Sequence, residues 1–210
     1  MITSTGFLVL GGKDASQNIS LLRKYAENDD IVMHADIHGA SAVVIKARGK
    51  EIDEKTLREA AVLAACYSKA WKLGLNSVDV FWVKRNQISF SPPAGEYLPK
   101  GGFMVYGKKN YIRNVELRLA IGIEIVDNSY RIIIGPEEVV SLRAIAYMVI
   151  VPGEVDPSTI AKAFISELGK IGLKELANSI DINEIIKRIP GKSKTVKVCT
   201  KSEQHGAILC

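Results

Sequence analysis

The sequence predicts an α+β fold: a mixed sheet packed with two main helices, followed by a smaller α+β unit of β-β-α-β-α order. Three observations lead there. Short strand patterns outnumber helical ones in the first half and do not alternate strictly with them. Two long segments open with helix-start signals at Asp14 and Asp53. The sign of the charge then changes along the chain. Residues 1–113 carry 16 basic and 11 acidic side chains, residues 114–186 carry 6 and 11, and residues 187–210 carry 6 and 1. The expected organisation is a first domain over 1–113, a small extension over 114–190 and a basic, flexible tail over 191–210.

The elements follow in order. "FLVLGGKD" reads as a strand that stops at Gly11-Gly12, and Asp14 caps a helix running to about Tyr25. "NDDIVMHADIHG" reads as a turn and a strand. In it Val32, His34, Asp36 and His38 share one face. "SAVVIKA" is a buried strand. Asp53 caps the helix "EKTLREAAVLAACYSKAWKLG", whose alanines leave a smooth face for close approach to a sheet. "SVDVFWV" and "QISFS" are expected to pair as a hairpin around Lys84-Arg85-Asn86, and "FMVYG" is a further strand. Beyond residue 114, "VELRLAIGIEIVDNSYRIIIG" is a hairpin turning at Asp127-Asn128-Ser129, and Pro136 starts a short helix. "AIAYMVIVPG" is an apolar strand. Asp156-Pro157-Ser158 opens another helix, and "DINEIIKRIPG" is the last.

Composition narrows the class. At 210 residues and net charge +5 the chain is long enough for a real core and ordinary enough in charge to fold. No apolar run is long enough to span a bilayer, and the N-terminus has no signal-peptide pattern, so the expectation is cytoplasmic with no membrane partner. Cys66, Cys199 and Cys210 are dispersed and odd in number, which suits a reducing compartment better than a disulfide framework. A basic first part and a basic tail point to a polyanionic partner.

Two stretches hold candidate chemistry. In "HADIHGAS", Asp36 and His38 could ligate a metal, but residues four apart on a strand lie about 13 Å apart and no further ligands are near. They could form an acid–base pair, yet Ser41 lacks a nucleophile-elbow context. They could instead bond to backbone at a turn, or contact a ligand through His38 and the amides of Gly39-Ala40-Ser41. In "SPPAGEYLPKGGFMVYGKKNYIR", Lys100, Lys108, Lys109 and Arg113 lie among Tyr97, Phe103, Tyr106 and Tyr111 with Glu96 as the lone acid. Such cations neutralise phosphates, and such rings stack on bases. No phosphate-binding G-x-x-x-x-G-K-[ST] loop occurs.

"GFLVLGGKDASQN", "DDIVMHADIHGASAVVIK" and "SPPAGEYLPKGGFMVYGKKNYI", in this order, resemble the NFACT-R domain of the NFACT ribosome quality-control proteins. The resemblance covers about residues 5–112, and 114–190 looks like the extension of archaeal members. It implies an RNA-binding module of a ribosome-associated factor that meets tRNA and the large ribosomal subunit. No cofactor, metal or catalysis of its own is implied. Met1 falls almost where NFACT-R begins, so three arrangements stay open: the sequence is a piece of a longer chain, a separate subunit supplies the NFACT-N domain and coiled coil, or the protein is a standalone member. Carried over by motif are Asp36, His38, Gly39, Lys100, Lys108, Lys109 and Asn110. Charge and exposure add Lys84, Arg85 and Arg113 to the nucleic-acid-binding set. Two alternatives stay open: an enzyme centred on Asp36 and His38, and a protein-interaction module docking through the acidic 114–186 unit.

Overall fold

Backbone pairing sorts the strands into two five-stranded antiparallel sheets in a computed structural model. It describes residues 1–92, 95, 98, 102–127, 129–201 and 208–210. The chain is mixed α and β, as its sequence predicts. It divides into two units, Met1–Ala70 with Ser77–Glu116, and Trp71–Asn76 with Leu117–Cys210. The expected boundary after Arg113 therefore falls within a strand of the first unit.

The first unit contains β1 (Val9–Gly11), α1 (Ala15–Ser20, continued by a π-turn over Leu21–Tyr25), β2 (Ile31–Ala35) and β3 (Val43–Ile45). Then come α2 (Glu54–Cys66), the short α3 (Lys69–Lys72, whose last two residues belong to the second unit), β4 (Ser77–Lys84), β5 (Ile88–Ser89), β6 (Met104–Val105) and β7 (Asn110–Glu116). The sheet order is β1-β3-β2-β4-β7, which leaves β7 as an edge. Asp14 and Asp53 cap their helices, accepting from the amides of Gln17 and Thr56. The α2 alanines are fully buried, so the helix backbone lies close over one sheet face. On the other face Leu21 and Leu22 pack with Val32, Val44, Phe81 and Val83.

One sequence expectation fails here. Ile88–Ser89 does not pair with β4. It pairs with Met104–Val105, because a 3-10 turn over Arg85–Gln87 carries the chain off the main sheet. β4 instead runs between β2 and β7.

The second unit holds β8 (Leu119–Val126), β9 (Ser129–Gly135), α4 (Glu137–Arg143), β10 (Ala146–Val155), α5 (Pro157–Lys170), α6 (Lys174–Ser179), α7 (Ile182–Ile186), β11 (Ser193–Lys201) and β12 (Ile208–Leu209). Residues of β8 and β10 alternate between two cores. Ala120, Tyr147 and Val149 face Val140 and Ala144 of α4. Gly122 is required there, since a Cβ would meet Val140 at 2.6 Å and Ala144 at 2.7 Å.

The expectation of a flexible tail over 191–210 is corrected. Ser193–Lys201 is a nine-residue strand between β10 and β12. Lys194, Lys197 and Lys201 break up its apolar residues and only Ser193 and Cys199 are buried, so a half-exposed strand reads as a polar tail. The cysteine expectation is corrected as well. Cys199 and Cys210 form a disulfide, because the chain returns on itself and brings residues 11 apart to adjacent strand positions, while Cys66 stays free and buried. Among the described residues no helix is long and apolar enough to cross a membrane.

Candidate nucleic-acid interface

Strand register assembles the site. His34 of β2 lies opposite Phe81 of β4, and Phe81 lies opposite Tyr111 of β7. Three rings from three strands thus form a row across the sheet. The His34 and Phe81 centroids are 5.7 Å apart, those of Phe81 and Tyr111 are 6.2 Å apart, and Phe103 meets His34 edge-on at 5.7 Å. Cations cover the row. Lys109 Nζ sits 4.3 Å from the Phe81 centroid, and the Arg113 guanidinium sits 4.1 Å from that of Tyr111.

The cations are aimed by local structure. Gly107 takes φ +75°, and the Gln87 side-chain amide donates to the carbonyls of Tyr106 at 2.9 Å and Lys108 at 3.1 Å. This clamp turns Lys108 and Lys109 out as exposed residues at the start of β7. At Arg113 the edge strand carries a bulge: Arg113 and Asn114 together oppose Asp79, and Asn114 has φ +53°. Asp79 accepts from the Asn114 amide at 2.8 Å and from Arg113 at 2.6 Å. The amide bond first, and the guanidinium second, hold its carboxyl below the ordinary value of 3.8.

The "HADIHGAS" stretch is built differently from its strand-like reading. β2 ends at Ala35, and residues 36–39 are a bend, so His34 and His38 do not share a strand face. The Asp36 amide donates to Asp79 O at 2.8 Å and the Ile37 amide to Ala35 O at 2.7 Å. Among the described residues no hydrogen bond joins the exposed side chains of Asp36 and His38. The run of free amides expected at Gly39-Ala40-Ser41 is broken, because the Ser41 amide is bound to Tyr67 O at 3.2 Å. Gly39 O accepts from the Lys69 amide at 3.1 Å, and the Asn18 side chain bridges Ala40 O and the Ala42 amide. The loop is therefore stitched to α1 and α3. Gly39 has φ +78°, a turn that favours glycine.

His34 is the integrated histidine. Burial pushes its pKa below the ordinary 6.5, and nearby Lys109 adds to that, against the Ala35 and Ala40 carbonyls and Asp36. Its Nδ1–H donates to Ala35 O at 2.7 Å, and burial favours the neutral ring.

Of the remaining sequence-predicted residues, Lys84 is exposed at the end of β4. Arg85 is turned inward: its guanidinium donates to Leu22 O at 2.7 Å and Ile88 O at 3.2 Å, which removes it from a phosphate-facing position. Asn110 is half-buried, with Nδ2 3.5 Å from Trp82 O. Lys100 and Tyr97 lie outside the described residues. On the α2 side of the sheet, an open groove of about 490 Å³ is lined by Glu54, Leu57 and Arg58 of α2, Trp82 of β4, and Lys108 through Arg113. Sequence reasoning missed His34, Phe81, Trp82 and Arg58 as neighbours of the lysines. The alternation in "SVDVFWV" separates Phe81 from Trp82 onto opposite faces, but nothing in it says that β7 lies alongside.

A metal reading finds its acids elsewhere. Among the described residues the one carboxylate group of metal-binding geometry is Glu27, Asp29 and Asp30. Asp30 is fully buried there and already accepts from Lys46 Nζ and from the amides of Glu27 and Ala47.

The family description "NFACT protein RNA binding domain" matches residues 1–107. The chain belongs to the NFACT family. The archaeal Rqc2 homolog aRqcH of Methanocaldococcus jannaschii is 38% identical over 187 residues, covering 88% of this chain and 26% of that protein. Ribosome quality control complex subunit NEMF of Homo sapiens is 43% identical over 112 residues, covering 53% and 10%. A solved C-terminal structure of the fibronectin/fibrinogen-binding protein from Streptococcus suis shares 27% identity, covering 55% of this chain and 43% of that one, with a TM-score of 0.46. The NFACT chain thus spans about a quarter of its archaeal relative. The 187 aligned residues outrun the 107 matched to the domain, so that similarity continues into the second unit.

Proposed function

We propose that this NFACT-R chain is the RNA-holding module of a ribosome quality-control factor, binding tRNA or large-subunit rRNA without catalysis of its own. The observation that carries the reading is the edge strand β7. Lys108 and Lys109 stand exposed immediately before it, and Lys109 and Arg113 lie over aromatic faces. Such an edge neutralises phosphates and offers rings to bases. Arg113 is held by Asp79, so it positions Tyr111 and the bulge, and the two lysines supply the phosphate contacts.

The enzyme alternative loses its support, since Asp36 and His38 do not form the hydrogen-bonded pair that acid–base work needs. In the acidic second unit Glu124 is bound by Arg143, and Glu137 by Arg118 and Lys197, so these two acids are not free to dock a partner. The extension over 114–190 and a partner carrying NFACT-N and the coiled coil remain part of the same proposal, as does a cytoplasmic location.

A filter-binding titration with tRNA across salt concentrations tests it. Lys108→Ala/Lys109→Ala should weaken binding and flatten the salt dependence by about 0.7–0.9 of slope per lost phosphate contact. Unchanged affinity and slope would remove the edge from the RNA site.

A further inference from the structure

We propose that the groove beside α2 captures a single unpaired nucleotide of the RNA, with the base on Trp82 and its phosphate between Arg58 and Lys108. The inference rests on the RNA-binding reading and gives that site a strand-state preference.

The groove and the ring row use opposite faces of β4. Phe81 belongs to the α1 side, and the next residue, Trp82, to the α2 side. At about 490 Å³ the space falls within the roughly 300–1,000 Å³ typical of small-molecule sites, too large for a lone ion. Its lining mixes chemistries. Leu57 and the indole of Trp82 are apolar, Asn110 offers an amide, Arg58 and Lys108 are cationic, and Glu54 is the one acid. That combination suits a flat heterocycle carrying an anionic group.

Arg58 is free to move. Its contact with Glu54 at 2.6 Å is an i,i+4 pair with both side chains about two-thirds or more exposed, a kind of pair that contributes little. A phosphate can take its place.

A paired base has both faces covered by its neighbours in the helix. The indole lies on a central strand, with α2 packed over that face and β7 alongside. A base must leave the stack to reach it. Lysines on the edge alone would not distinguish strand states, because they read phosphates that both forms carry.

The protein supplies its own reporter. Of its two tryptophans, Trp71 is 1% exposed and Trp82 is half-buried on the groove. Stacking should quench Trp82 alone. The experiment titrates the full chain with a short oligoadenylate and, separately, with a blunt-ended, fully paired RNA duplex, following tryptophan emission and affinity. The oligoadenylate should quench emission and the duplex should not. Trp82→Leu should weaken oligoadenylate binding about tenfold and leave duplex affinity unchanged. Trp82→Phe, which keeps a ring and most of the packing, should retain part of the affinity while removing the quench. Melting curves on the same samples exclude unfolding as the cause.

If both RNAs bind through Lys108 and Lys109 but emission does not move, or Trp82→Leu binds oligoadenylate at full strength, the groove is not a nucleotide site and only this inference fails. If neither RNA binds, the RNA-binding reading itself fails and takes the groove with it.

Discussion

The two units treat charge in opposite ways. In the first, Lys108 and Lys109 meet no carboxylate among the described residues, and Lys109 is held against a ring. In the second, Arg143 and Arg131 converge on Glu124, while Arg118 and Lys197 converge on Glu137, which also accepts from Tyr147. A cation beside a ring keeps its full charge for a third party. A cation in a carboxylate network has its field cancelled at short range. Counting charges along the sequence cannot make this distinction, since the same residue types populate both units.

The first unit also contains pairs of the second kind, Arg58 with Glu54, Arg113 with Asp79 and Lys46 with Asp30 and Glu27, and of these acids only Asp30 is buried. Asp30 is fully buried and takes hydrogen bonds from Lys46 and two backbone amides. Removing it should have the largest effect of any single charge change. Asp30→Ala leaves the nearly buried Lys46 with only the exposed Glu27 carboxylate and the Tyr25 carbonyl, and should cost about 3–5 kcal/mol in urea denaturation. A loss under about 1 kcal/mol would mean the pair is relaxed in solution.

Next in size is the Glu137 network. Burial raises the Glu137 carboxyl, but hydrogen bonds from Lys197 and Arg118 outweigh it and hold the pKa below 4.5. A depressed carboxylate stabilises the fold above its unfolded value, and that contribution is lost as pH falls through the folded value. Glu137→Gln should therefore melt lower than the natural protein at pH 7, by an amount equivalent to about 1–2 kcal/mol. The gap should narrow as pH falls below 4.5 and through the lower folded value. RNA affinity should not change, which sharpens the contrast with the lysine double variant. A Glu137→Gln protein with altered RNA binding would break the division between the two kinds of charge.

A smaller effect is expected at His34. Its burial lowers the pKa, so the unfolded chain binds the proton first. Stability from the neutral ring is complete above 6.5 and declines as pH falls below that toward the folded value. Melting temperature should drop between pH 7 and about 5, and His34→Gln should reduce that drop. An identical pH profile in the variant would assign the acid sensitivity elsewhere.

The smallest effect is expected at Gln87, whose amide orients the Lys108 carbonyl. Gln87→Ala should leave melting within about 0.5 kcal/mol and weaken tRNA binding by less than the double lysine variant. A loss equal to that variant would make Gln87 a contact residue.

Local chemistry was legible from the chain alone. Asp14 and Asp53 announce their helices because a carboxylate bonds the free amides of a first turn, an interaction that spans only a few residues. The lysines of "GKKN" and the hairpin at Asp127 were legible for the same reason. His38 was misread as a strand residue because the alternation continues past Ala35, while the backbone stops pairing there. Strand β11 was missed because exposed lysines dilute its apolar pattern, and it is pairing with β10 that makes it a strand. The row His34–Phe81–Tyr111 and the groove beneath Trp82 belong wholly to tertiary structure. Their members come from strands separated by dozens of residues, and no local interaction records that β2, β4 and β7 are neighbours in that register. Periodicity fixes which face a side chain occupies; only strand order decides what stands beside it.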